Sequence, residues 1–210
     1  MVKLEQSIAQ YASQPMSHQL LVSLLKNYKS PNDKINEWVK QGQLISLRRG
    51  LYVWNSQKLP ELFSIANVLL APSYISAESA MSYHGLIPEQ VFTVVSMSLN
   101  STKKIKNSLG NFEYKKLSFP YYSFGIQRVQ LYENQFALIA SPEKAMLDKV
   151  VTTSGVLFRS MVSAQIYLSE NLRIDSDQLK ELDIEKMKTW LVDAPKKESI
   201  NYLIKAIETL

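Results

Sequence analysis

The stretch from Ser17 to Trp54 constrains this chain more than any other, because several kinds of local signal follow one another in it without a gap. Leu20, Leu21, Leu24, Leu25 and Tyr28 recur at helical spacing behind Ser17, whose hydroxyl suits a helix start. After a short Lys29–Ser30 link comes Ser30-Pro31-Asn32-Asp33: serine at the expected N-cap, proline where its missing N–H costs nothing, and a capping acid three residues on. Ile35, Trp38 and Val39 then form an apolar stripe, and Gly42 is placed to end the helix in a left-handed cap. Two β-prone runs, Leu44-Ile45-Ser46-Leu47 and Leu51-Tyr52-Val53-Trp54, flank Arg48-Arg49-Gly50, where glycine supplies the positive φ of a tight turn. A first helix from Val2 to about Ser13, with Leu4, Ile8 and Tyr11 on one face, precedes them. Three helices followed by a hairpin predict a winged helix-turn-helix over residues 1–58, with its recognition helix at about Pro31–Gln41 and its wing at Arg48-Arg49-Gly50.

Charge singles out the same segment. The chain carries a net charge of +5. Within residues 1–60, Lys3, Lys26, Lys29, Lys34, Lys40, Arg48, Arg49 and Lys58 face only Glu5, Asp33 and Glu37, whereas bases and acids balance over the rest. The excess thus sits where a polyanion would be attracted and would release counterions on binding. Opposite the apolar stripe of the Pro31–Gln41 helix lie Asp33, Asn36, Glu37 and Lys40, with Lys34 and Gln41 flanking them. Asparagine and glutamine pair bidentately with adenine and lysine with guanine in the major groove, so Asn32, Asn36 and Lys40 are the expected base readers. Arg48 and Arg49 at the wing tip suit phosphates or a narrow minor groove. Asp33 belongs with the capping signal, since a carboxylate near DNA repels phosphate.

Asn55–Pro60 is polar and ends in proline, which predicts a linker to a second domain over residues 61–210. There the pattern predicts helices at Glu61–Leu70 and at Ala77–His84, the latter capped by Ser76 and stopped by Gly85. Four β-prone runs follow, Val91–Ser98, Asn111–Leu117, Gln127–Tyr132 and Phe136–Ile139, and suggest a small, mainly antiparallel sheet. A helix starts at Ser141-Pro142-Glu143, and the remainder reads as helical, with Ile200, Leu203, Ile204, Ile207 and Leu210 on one face. The predicted class is therefore α+β: a winged helix-turn-helix, then a mixed α/β domain with a helical C-terminal end.

Much chemistry is excluded. With 46% hydrophobic and 20% charged residues the composition is that of a folded globular protein. No apolar run approaches the ~20 residues of a membrane span, and the polar N-terminal residues do not resemble an export signal, so a cytoplasmic protein is expected. There are no cysteines and only two histidines, His18 and His84, so neither metal nor cofactor is expected. His84 ends a helix, where its ring serves carbonyls, and the aromatic run Phe119–Phe124 lacks interleaved bases, which favours core packing over base stacking. Glu113 and Lys115, with Glu89 upstream, leave a metal-dependent nuclease as a remote alternative to the expectation of a non-enzyme. A regulator whose residues 61–210 sense a small molecule is the nearer one.

Set beside the hairpin Leu44–Val53, the segments Pro72-Ser73-Tyr74-Ile75-Ser76-Ala77-Glu78-Ser79-Ala80-Met81-Ser82-Tyr83-His84-Gly85-Leu86-Ile87-Pro88-Glu89 and Ala140-Ser141-Pro142-Glu143-Lys144-Ala145-Met146-Leu147-Asp148-Lys149 give the chain a resemblance to the AbiEi antitoxins. It spans roughly residues 15–160. The resemblance implies a transcriptional autorepressor that binds its own promoter, at inverted repeats, through the N-terminal winged helix. It also implies the antitoxin of a phage-defence abortive-infection system, countering a nucleotidyltransferase toxin through the C-terminal domain. By that analogy Lys34, Lys40, Arg48 and Arg49 carry DNA binding, although Asp33 and Glu37 make the recognition helix less basic than the family pattern.

Overall fold

The computed structural model describes residue 8, residues 10–132 and residues 134–210. The first predicted helix therefore falls mostly outside the described residues, and 10–13 form turns. After β1 (Met16–Ser17), helices α1 (His18–Leu24) and α2 (Pro31–Lys40) lead into the hairpin β2 (Leu44–Arg48) and β3 (Leu51–Trp54). β3 pairs with both β2 and β1, so the three strands form a sheet in the order β1-β3-β2. Gly42 and Gly50 have φ of 73° and 78°, as the cap and the hairpin turn demand. Ser17 caps α1 by accepting from the Leu20 N–H at 3.2 Å. Ser30, by contrast, occupies the N-cap of α2 without a side-chain cap bond, so there it is Pro31 at the first turn that marks the start.

The hairpin has two working faces, because side chains alternate along a strand. Leu44, with the half-buried Tyr52 and Trp54, joins Ile8, Met16, Leu21, Leu25, Ile35 and Trp38 in a small core beneath the helices. Leu47, Leu51 and Val53 instead enter the large core built by the rest of the chain. A bulge between Ser46 and Arg48 re-aims the end of β2. The large core thus extends across the expected linker into the N-terminal segment.

Beyond Pro60, α3 (Leu62–Leu69), β4 (Ser73–Ile75), α4 (Ala77–Tyr83), β5 (Thr93–Ser98), β6 (Lys103–Asn107), β7 (Gly110–Lys116), β8 (Ile126–Tyr132), β9 (Gln135–Ala140) and α5 (Pro142–Thr152) follow in turn. The strands form one six-stranded sheet in the order β6-β7-β5-β4-β9-β8. Pairs β4–β5, β6–β7 and β8–β9 are antiparallel, and β4–β9 and β5–β7 parallel. The sheet is larger and more mixed than the sequence predicts, for two reasons. β4 has only three residues, all buried, and shows no alternation. β6 is Lys-Lys-Ile-Lys-Asn, whose lysines read as turn although they belong to an exposed edge. The class remains α+β. Helices α6 (Met161–Ile166), α7 (Ser176–Lys180), α8 (Ile184–Trp190) and α9 (Lys197–Glu208) complete the chain, with a π-helical turn at Tyr167–Asn171. The apolar face of α9 packs on α6 and α8, leaving Leu210 46% exposed. No helix among the described residues is long and apolar enough to cross a membrane.

Register separates the two sheet faces. Tyr114 aligns with Ser96 and Ile75 on the face covered by α3, where its hydroxyl donates to the Ala66 carbonyl at 2.7 Å. Tyr74 aligns with Met97 on the other face, towards α5. There Lys144 and Asp148 form an ion pair of 2.8 Å with both side chains wholly buried. Lys144 also donates to the Tyr121 carbonyl at 2.9 Å and lies 3.3 Å from the centre of the Tyr121 ring. Asp148 accepts from the Tyr74 hydroxyl at 2.8 Å and from Ser76 at 2.7 Å. Ser76, at the N-cap of α4, therefore serves this network and makes no side-chain cap bond. Burial pushes the Lys144 ammonium below its usual range against the pull of Asp148, and holds the Tyr74 hydroxyl well above its own. The aromatic run packs as predicted: Tyr121 and Tyr122 are buried and Phe124 stacks on Trp190 at 6.3 Å, while Phe119 stays exposed. Asp148→Ala leaves a buried ammonium unpaired and should cost about 3–5 kcal/mol in urea unfolding, whereas Lys144→Met with Asp148→Leu should recover only part of the loss, because the Tyr74 and Ser76 hydroxyls stay without their acceptor.

Candidate nucleic-acid interface

Helix α2 is held by the small core. Ile35 and Trp38 are its buried residues, and the Trp38 ring meets Trp54 of β3 edge-on at 5.5 Å. Asn55 ties off the base of the hairpin by donating its side-chain amide to the Gly42 carbonyl at 2.9 Å and its backbone N–H to Gln43 at 2.8 Å. The opposite face of α2 carries Asn32, Asn36, Lys40 and Gln41, all exposed, and Lys34, half-buried. These side chains are not equally free. Lys34 ion-pairs with Glu37 at 2.9 Å and lies 5.5 Å from the centre of the Trp38 ring. Gln41 donates to the same Glu37 carboxylate at 3.1 Å. Lys34 is the main reason that the Glu37 carboxyl titrates below its usual range, so Glu37 stays ionised. Asn36 and Lys40 have no side-chain partner among the described residues, which leaves their hydrogen-bonding groups to an incoming surface.

His18 brings α2 and the hairpin turn together. Its backbone N–H donates to the Gly50 carbonyl at 2.9 Å, and its Nε2 lies 3.0 Å from Oδ1 of Asn32. The start of α2, the start of α1 and the Arg49-Gly50 turn therefore form one continuous surface. The sequence offers His18 only as half of a pair too small for a metal site. Its role depends on β1 pairing with β3, which no local pattern announces.

The two arginines of the hairpin turn are engaged differently. Both are exposed, and Arg49 makes no side-chain hydrogen bond among the described residues. Arg48 points back: its Nε donates to the Leu69 carbonyl at 3.1 Å and Nη1 to the Arg49 carbonyl at 3.4 Å. Leu69 ends α3, where unpaired carbonyls and the helix dipole favour a cation. Asn107 of β6 adds a second strut, donating to the Leu47 carbonyl at 3.3 Å. The hairpin is thus fastened to the six-stranded sheet by hydrogen bonds as well as by Leu47, Leu51 and Val53.

Elsewhere, a cleft of about 680 Å³ opens on the sheet face away from α3, lined among others by Glu78, Glu89, Phe92, Glu113, Lys149 and Tyr167. Glu89 and Glu113, the two carboxylates of the predicted nuclease motif, both reach it. Each has a cationic partner, however: Arg173 for Glu89 and Lys104, at 3.6 Å, for Glu113. Lys149 likewise pairs with Glu78. No group of three or more acidic or histidine side chains among the described residues could hold a metal ion. His84 contacts the Ala140 carbonyl at 2.8 Å, at the end of β9 and not at the end of its own helix.

No family model and no curated protein matches this chain. Among solved structures, the crystal structure of the RV2827C protein from Mycobacterium tuberculosis is similar, with a TM-score of 0.64 and 11% identity over 96% of this chain and 74% of that one. At that identity the likeness concerns the fold alone, an α+β architecture extending over nearly all of the chain.

The anchoring of Arg48 has a measurable consequence. Arg48→Gln should lower stability by about 1 kcal/mol through loss of a charge-assisted hydrogen bond, whereas Arg49→Gln should stay within about 0.5 kcal/mol of the parent. Thermal unfolding of the two variants compares them directly.

Proposed function

We propose that residues 16–54 are the core of a winged helix-turn-helix and that the chain is a DNA-binding transcriptional regulator. In this reading α2 enters the major groove, Asn36 and Lys40 read bases with Asn32 beside them, and Arg49 at the wing contacts phosphate or the minor groove. The observation that carries it is the exposed Asn32–Asn36–Lys40 face of α2, backed by Ile35 and Trp38 and joined through His18 to the Arg49-Gly50 turn. Lys34 and Gln41 contribute chiefly by neutralising and holding Glu37, which would otherwise repel the backbone. Arg48 acts as the strut that sets the wing.

The biological role follows from the AbiEi resemblance of the three quoted segments: an autorepressor and antitoxin that counters a nucleotidyltransferase toxin, its partners being the promoter duplex and that toxin. Residues 61–210 carry the antitoxin part, and no enzymatic activity is assigned to them. A mobility-shift titration of the full chain on its own promoter tests the DNA part. Arg49→Ala should weaken binding to every sequence and reduce the slope of log K against log salt by about 1. Asn36→Ala should instead cost about 1–3 kcal/mol on the promoter while leaving a scrambled duplex unaffected. Unchanged binding in both variants overturns the placement of the interface. Co-expression with a neighbouring nucleotidyltransferase, if growth is not rescued, overturns the antitoxin part and leaves DNA binding standing.

The cleft beside Glu78 and Tyr167 favours a second reading, a regulator that senses a small molecule, since its volume falls within the roughly 300–1,000 Å³ of ligand sites. A metabolite that raises the melting temperature of the full chain, and does so less in Tyr167→Ala, would support it.

A further inference from the structure

The balance of charge over residues 61–210 conceals a segregation that the sheet topology exposes. Between positions 103 and 116 the chain carries Lys103, Lys104, Lys106, Lys115 and Lys116 against the single acid Glu113. These residues form β6 and β7, and β6 is the free edge of the six-stranded sheet. Glu113 is held by Lys104 at 3.6 Å, so it does not neutralise the others. Lys103, Lys106 and Lys116 are exposed, and none has an ion-pair partner among the described residues. The edge also adjoins the proposed wing. Asn107, next in sequence to Lys106, donates to the Leu47 carbonyl at 3.3 Å, and Arg48 and Arg49 follow directly. Register places Lys103 opposite Tyr114 and Lys116 opposite Ser98 on the sheet face covered by α3, the face to which Arg48 is fastened through Leu69, and Lys106 opposite Asn111 on the other face, so the lysines flank the free edge from both sides. From Asn107 to Lys103 the strand runs for roughly 13 Å at ~3.3 Å per residue, a length that passes more than one phosphate of a duplex strand.

We infer that β6, with Lys103 and Lys106, and the adjoining Lys116 of β7 form a second phosphate-contacting element that follows the DNA backbone flanking the wing. The inference rests on the winged-helix reading and extends its footprint from residues 16–54 onto the sheet. Lysine is well suited to such contacts, because a compact, flexibly tethered cation meets phosphate without demanding a particular base, so the element adds affinity and no sequence preference. Lysines on an edge strand also discourage edge-to-edge association, but that duty is met by any charge and does not predict which polyanion is bound.

The test is the salt dependence of full-chain binding to two labelled duplexes, the promoter and a scrambled sequence. The triple variant Lys103→Gln, Lys106→Gln and Lys116→Gln should reduce the slope of log K against log salt by about 0.9 for each lost contact, up to about 2.7 in all. It should weaken both duplexes by the same factor, about tenfold or more at low salt. The control variant Lys197→Gln with Lys205→Gln on α9 should leave the slope unchanged. An unaltered melting temperature shows that the triple variant is folded, as expected for exposed positions. A wild-type slope in the triple variant overturns the inference while leaving the winged helix intact, whether the strand serves a protein partner or only guards the sheet edge. A parent protein that binds neither duplex overturns the underlying reading itself.

Discussion

The hairpin β2–β3 is a wall shared by two cores. Leu44 and Trp54 turn towards the helices that carry the exposed asparagines, while Leu47, Leu51 and Val53 turn into the core of the six-stranded sheet. A strand can serve two cores only if both of its faces are apolar, and the Leu44–Trp54 segment meets that condition with apolar residues at consecutive positions. The consequence is mechanical. The small N-terminal core, resting on Ile35, Trp38 and their neighbours, does not have to be independently stable, and the turn that follows Arg48 is oriented by the sheet behind it. Arg48 on the end of α3 and Asn107 on Leu47 fix the remaining rotation.

That attachment changes how the basic residues group. Along the chain, the excess charge belongs to the first 60 residues and the rest is neutral. In space, the fastening of the hairpin to β6 sets a lysine-bearing sheet edge next to it, with Lys106 beside the attached Asn107 and Lys103 further along the strand. Local potential depends on which charges lie within a screening length of about 10 Å, and a sum over sequence blocks cannot report it. The same consideration reduces the contribution of α2 itself, where Glu37 occupies Lys34 and Gln41, while Asn36 and Lys40 keep their side chains unpaired among the described residues. An interface arranged in this way would draw affinity from the turn and the sheet edge, and selectivity from two or three side chains on one helix.

Buried polarity has the opposite role in the larger part. Lys144 and Asp148 lie one helical turn apart in α5, and nothing in their spacing distinguishes them from an ordinary solvated pair. In the fold they are wholly enclosed and joined to Tyr74, Ser76 and Tyr121, from three separate stretches of chain. Such a network tolerates little displacement of β4 or of the loop before β8, because each shift would leave a buried polar group unpaired. It holds the helical cover to the sheet.

Much of the local structure was legible in the residues alone. The helices at Pro31 and Pro142, the turns at Gly42 and Gly50, the apolar face of α9 and the exposed face of α2 follow from capping chemistry and periodicity, which act over a few residues. The pairing of β4 between β5 and β9, the strand character of Lys103–Asn107, and the partners of His18, Arg48 and Ser76 did not. Each depends on a contact between residues far apart in the chain, and strand pairing of that kind leaves no mark in local spacing. The sequence by itself determined which side chains a helix and a turn would offer. Only the tertiary structure decided which of them were already engaged, because a hydrogen-bonding group is available for recognition only when the fold has left it without a partner.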